Sequence, residues 1–205
     1  MDIVKFVLDK DIILNTNPMK KQALVWIGVI AAVLFMSGCL TCEKKEYTFD
    51  FTGKESGRLT IKYINIMSTM DDTVDISEED FSSLLADYYE GTEVENGFPN
   101  ATVVSKRLFE ENGQLCGEIV FEFSDISMVN LYQHKGKGPI MYCLGCNSLD
   151  SEYFLESNGE YGGDVMPVVF WDDGLKAMNV STDVTVPDET TVSLLDRWKA
   201  YESGQ

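Results

Sequence analysis

Asn112-Gly113 pins two strands at once. Both residues tolerate positive φ, which a two-residue type I′ turn demands, and apolar and polar residues alternate on either side. The turn sets a register in which Arg107 faces Glu118, Leu108 faces Gly117 and Val104 faces Phe121. Opposite charges then meet on one face, while Val104, Leu108, Ile119, Phe121 and Phe123 share the other. Lys106 is the exception on that apolar face.

The rest of the chain reads as short strands with two helices. Residues 47–51 alternate, residues 52–57 have turn composition, and residues 58–67 resume a strand. The apolar phase slips between Tyr63 and Ile64, which predicts a bulge or burial on both faces. Ser77 before Glu78-Glu79-Asp80 resembles a capping box, and Phe81, Leu84, Leu85 and Tyr88 follow at helical spacing, ending near Gly91. After a short helical or irregular stretch over residues 125–133, strands are expected at 139–144 and 152–156. A second hairpin is expected about Asp173-Gly174, with arms 165–172 and 176–186. A final helix over 191–201 aligns Leu194, Leu195, Trp198 and Tyr201. The fold class is therefore α+β: a mainly antiparallel β-sheet with two amphipathic helices in a single domain.

Ahead of this body, residues 23–36 are fourteen residues without a charge. A spanning helix needs about 20 apolar residues, whereas about 7–15 suit the core of a signal peptide. Lys20 and Lys21 precede the run, and small residues Ser37 and Gly38 lead directly into Cys39. Met36-Ser37-Gly38-Cys39 resembles a bacterial lipobox, with Met36 where Leu is usual. The resemblance implies cleavage before Cys39, diacylglycerol on its sulfur and an acylated amino terminus, so the membrane is a partner through lipid on Cys39. Together such chains anchor firmly, at about 0.8 kcal/mol per buried methylene. Residues 1–18 read as an over-extended start, 19–38 as the signal peptide, 39–46 as a lipidated tether of at most about 25 Å, and 47–205 as the body. Leu40 is not the Asp that retains many lipoproteins in an inner membrane, so a cell with two membranes would place this chain in the outer one.

The chain has 16 Lys+Arg against 34 Asp+Glu. Four of those bases and three of those acids precede Cys39, leaving the body at −19. Such a body repels phosphate backbones, which argues against nucleic acid as a partner, and its acidic surface suits solubility outside the cytoplasm. After lipidation of Cys39, four cysteines remain: Cys42, Cys116, Cys143 and Cys146. Oxidising conditions favour one or two disulfides among them, and spacing leaves the pairing open. Residues 39–42 and 143–146 each spell CxxC, yet Cys39 belongs to the lipobox, and 42 and 143 stand too far apart for common zinc modules. No metal or cofactor is expected.

The chain carries one histidine, His134, in a basic loop with Lys135 and Lys137. It contains no GxSxG, P-loop, HExxH or dinucleotide fingerprint. Residues 104–131, with Glu111-Asn112-Gly113, Gly117 and the FEFSDI run, resemble the LppM-type lipoprotein domain. The function expected is a membrane-anchored envelope lipoprotein whose body binds a protein or small amphipathic ligand without catalysis. The alternatives are an envelope enzyme, hydrolytic or thiol-redox through Cys143 and Cys146, and a structural component. A deep apolar cavity would favour binding; converging acids or the Cys143/Cys146 pair at a cleft would favour catalysis.

Overall fold

A computed structural model describes residues 40–144, 146 and 152–204. Residues 1–18, the signal-peptide segment 19–38 and Cys39 lie outside the described residues. Among those described, no helix is long and apolar enough to cross a membrane.

Among the described residues the regular structure is mainly antiparallel strand, with two helices in one body, as the α+β reading expects. The larger sheet runs β3 (Thr102–Glu111), β4 (Gln114–Phe123), β2 (Gly57–Thr69), β1 (Leu40–Phe51), β10 (Ala177–Asp183) and β7 (Tyr153–Ser157). A short strand, β11 (Thr191–Ser193), adds to the far end of β2. The smaller sheet runs β5 (Leu131–Gln133), β6 (Ile140–Cys143), β9 (Val168–Trp171) and β8 (Glu160–Tyr161). It buries Val129, Leu131, Ile140, Tyr142, Val169 and Trp171 against Phe49, Leu59, Ile61, Ile119 and Phe121 of the larger sheet. A second core joins Ile66 and Leu115 to the helices α1 (Ser77–Ser83) and α2 (Leu195–Gly204) through Phe81, Leu84, Leu195 and Trp198.

The β3–β4 turn forms as its residues demand, with Asn112 and Gly113 both at positive φ (52° and 78°). Arg107 pairs Glu118 and Leu108 pairs Gly117. The register slips by one between Val103 and Ser105, so Val103 rather than Val104 faces Phe121. Val104, the extra residue, is 48% exposed, which corrects its expected place in the apolar set. The phase slip after Tyr63 has its cause at Asn65, whose φ of 55° turns β2 so that Ile66 returns to the side of Tyr63. A Cβ built on Gly117, the partner of Tyr63, would lie 3.1 Å from Ile66 Cδ1.

Three expectations need correcting. Residues 40–46 are no tether: they are the first half of β1, with Leu40 opposite Ser68 and Lys45 opposite both Tyr63 and Thr182. Charge at Glu43, Lys44 and Glu46 masks a strand that pairs with β2 from Leu40 and with β10 from Lys44. The second hairpin does not form, because β9 belongs to the smaller sheet and β10 to the larger. Asp173-Gly174 still turns the chain, but the turn crosses between sheets, since β10 pairs with β1 and β7 instead. The final helix begins at Leu195, because β-branched Thr191 and Val192 pair with Thr69 and Ser68 as strand. The Ser193 hydroxyl accepts from the Leu195 N–H, capping the helix.

Helix α1 also starts differently from its sequence signature. Asp75 accepts from the Ser77 N–H (2.9 Å), while the buried Ser77 hydroxyl accepts from Arg197 of α2 (2.8 and 3.1 Å). Arg197 also pairs with Glu78, so the two helices are tied by a shared guanidinium. Beyond Ser83 the helix widens into a π-type turn over Leu84–Tyr89, closed by the Glu90 N–H on the Leu85 carbonyl.

Candidate functional site

Between the smaller sheet and the helices, one stretch of the larger sheet is covered by neither, and a pocket of about 300 Å³ opens there. Its floor comes from β1, β2 and β4, where Tyr63 packs against both cores. Gly117 keeps that floor low: a side chain there would press on Ile66 and on Leu108, 3.4 Å from its Cδ2. One wall is the widened end of α1 and the loop after it, with Leu84, Tyr88, Val94 and Phe98. The other carries Tyr142 and Cys143 of β6, and Glu152. The first residues of β1, from Leu40 to Cys42, complete the lining.

Lys106 holds the wall over the floor. It lies opposite Ile119 on the apolar side of β3, where a lysine reads as a defect. Its Nζ donates to the carbonyls of Tyr88 (3.1 Å) and Gly91 (2.6 Å) and pairs with Glu95 (2.7 Å). Those carbonyls end the widened turn, where backbone acceptors lack helical partners. Nearby, Arg107 grips Glu118 by two bonds, Nε to Oε1 at 2.8 Å and Nη2 to Oε2 at 2.9 Å. This hydrogen-bonded pair holds the Glu118 carboxyl below the ordinary carboxylate range.

Deeper in the pocket lies a buried polar network. Alternation on β1 points Lys45 and Tyr47 to one side, and Thr182 lies across from Lys45 on β10. All three converge on Glu152, just before β7. Lys45 Nζ approaches Oε1 at 3.1 Å, the Tyr47 hydroxyl donates at 3.0 Å, and the Thr182 hydroxyl donates to Oε2 at 3.0 Å. The Lys45 and Glu152 side chains are only 10% and 3% exposed. Burial lowers the Lys45 pKa, but the Glu152 carboxylate, with help from Tyr63 and Cys42, outweighs it and leaves the ammonium above its ordinary 10.5. The phenols of Tyr47 and Tyr142 are pushed up, first by burial and then by neighbours that include Glu152. Both carboxylate oxygens of Glu152 already accept hydrogen bonds, so the network is an organised, internally balanced wall.

The structure places the cysteines unequally. Cys143, at the end of β6, and exposed Cys146 stand at disulfide distance, with Cα atoms 5.6 Å apart. Cys42 and Cys116 are buried thiols in the larger sheet. Burial raises the Cys116 pKa, against the backbone N–H of Asn65, which favours its thiolate. Cys116 and Cys143 sit in different sheets, and among the described residues no group of three or more His, Cys, Asp or Glu is arranged to hold a metal ion. His134 is exposed, with the Tyr132 hydroxyl 3.3 Å from its Nδ1, and it does not line the pocket. Sequence reading missed Lys45, Tyr47 and Glu152; the one available signal was a lysine on the apolar phase of a strand.

Comparison with protein-family models, with curated proteins and with solved structures returned no match to this chain.

Proposed function

We propose that this chain is a cell-envelope lipoprotein, anchored through lipid on Cys39, whose body binds a small ligand in the pocket over β1, β2 and β4 without chemical turnover. The observation that carries the binding half is the pocket itself, whose ionisable network is saturated by its own members and, among the described residues, offers no paired nucleophile and base. Its volume falls at the lower end of small-molecule sites, which run from about 300 to 1,000 Å³. The lipobox-like Met36-Ser37-Gly38-Cys39 carries the anchoring half, and Leu40 after it favours the outer membrane in a cell with two. The acidic body argues against nucleic acid as the partner.

Gel mobility after globomycin treatment tests the anchor, and accumulation of a larger precursor is the expected result. An unchanged band removes the lipoprotein reading. For the pocket, native mass spectrometry of protein from the producing cell is expected to show a bound small molecule, lost when Leu108→Trp fills the space. A thiol-redox role has one observation in its favour, since Cys143 lines the same pocket and lies at disulfide distance from Cys146. Disulfide-exchange turnover that disappears in Cys146→Ser would establish it in place of simple binding.

A further inference from the structure

We infer that the occupant of this pocket is the single acyl chain of an amphiphile with an uncharged or zwitterionic head, taken from the bilayer beside the protein. The inference rests on the anchored, ligand-binding reading above and names the chemistry of its ligand.

Four observations converge on that class. The first is shape and lining: aliphatic groups of β2, β3, β4 and the widened end of α1 (Ile61, Ile66, Leu108, Ile119, Leu84) face a space of about 300 Å³. That is room for the greater part of one acyl chain; a lipid of two or three chains would not fit. The second is charge. The body as a whole is strongly acidic, yet the two lysines that face the pocket are each matched by a carboxylate, Lys45 by Glu152 and Lys106 by Glu95. An amphiphile entering there meets paired charge rather than an excess of either sign, which suits an uncharged or zwitterionic head.

The third is internal polarity. Because the Glu152 oxygens are satisfied by Lys45, Tyr47 and Thr182, a methylene chain passing the network strips no group of its hydrogen bond. The fourth is position. Leu40, Thr41 and Cys42 line the pocket and are already paired in the sheet, so no slack separates them from Cys39. With lipid on Cys39, this end of the pocket is held within a residue or two of the bilayer, at about 3.3–3.6 Å per residue. Moving a chain from bilayer to apolar pocket changes its surroundings little, so loading and unloading at the membrane need no large driving force.

The test uses the full lipidated chain in phosphatidylcholine vesicles doped with lysophosphatidylcholine bearing a photoreactive diazirine near its chain end. Irradiation followed by peptide mapping is expected to place adducts on Leu84, Leu108, Ile119 or their pocket neighbours. Leu108→Trp is expected to lower that labelling at least five-fold, with urea midpoint and vesicle flotation unchanged. Excess unlabelled lysophosphatidylcholine is expected to compete, and glycerophosphocholine, the head without the chain, is not. Adducts spread over exposed apolar residues such as Val165 and Val186, or full competition by the head alone, would overturn the inference. Flotation reports the anchor separately. A chain that fails to float but labels in the pocket with monomeric probe keeps the acyl site and loses the anchor; one that floats without pocket labelling keeps the anchor and loses the acyl site.

Discussion

Removing either partner of the Lys45–Glu152 pair leaves the other ionised and nearly dry, with side chains 10% and 3% exposed. Breaking a buried pair from one side costs about 3–5 kcal/mol, because the surviving charge keeps its desolvation penalty without its attraction. Glu152→Gln should sit in that range, since burial already works against the Lys45 ammonium. Lys45→Met should cost less, about 2–3 kcal/mol, because Tyr47 and Thr182 still donate to the carboxylate, and hydrogen bonds to charged groups contribute about 1.5–3 kcal/mol each. The double variant replaces the pair with neutral groups, so its loss should fall short of the sum of the singles by about 2–3 kcal/mol. Urea unfolding of the four proteins measures the cycle; for chains of this size each kcal/mol also moves Tm by about 2–4 °C. The pH dependence has a definite sign. A lysine whose folded pKa exceeds 10.5 contributes stability that is fully present below 10.5 and lost as pH rises through the folded value. Glu152→Gln should abolish that alkaline loss. Single variants costing under about 1 kcal/mol, with losses that simply add, would refute the buried-pair reasoning.

Lys106→Met should release the wall of the pocket. Loss of its bonds to Tyr88, Gly91 and Glu95 should cost about 2 kcal/mol and speed hydrogen exchange over residues 84–97, leaving the β3–β4 turn protected. The Arg107–Glu118 pair acts on the acid side. Because the Glu118 pKa is depressed, its contribution is present above the unfolded value of 4.5 and lost as pH falls through the lower folded value. Glu118→Gln should therefore flatten the acid limb of stability by about 0.2–1 kcal/mol, the range for largely exposed pairs, as read by urea midpoints from pH 6 to 3. Iodoacetamide at pH 8 should leave buried Cys42 and Cys116 unmodified in the folded protein and alkylate both in denaturant, with Cys143 and Cys146 reacting only after reduction.

Local features were the legible part of the sequence. The Asn112-Gly113 turn fixed its register from φ alone, and the paired charges of Arg107 and Glu118 agreed with it. The slip after Tyr63 was visible as a break in alternation, though Asn65 as its cause was not. What failed was pairing at a distance. Val168 to Trp171 and Ala177 to Asp183 look like hairpin arms, because a tight turn joins them, but which sheet each enters depends on partners far along the chain. The charged first half of β1 is hidden for a similar reason, since its neighbours β2 and β10 satisfy the backbone whatever the side chains. The pocket was invisible because it assembles from both sheets and α1. Two lysines on apolar strand phases, Lys45 and Lys106, were its only trace: each looks like an error in one dimension and finds an acid in three.

The claim on which the rest depends is that the chain is held to a membrane by lipid on Cys39. Mass spectrometry of the amino-terminal peptide, from protein extracted out of native membranes, tests it directly. The account predicts a peptide that begins at Cys39 with a diacylglyceryl thioether and an acylated amine. An unmodified Cys39 thiol in a peptide still joined to Gly38 would contradict it.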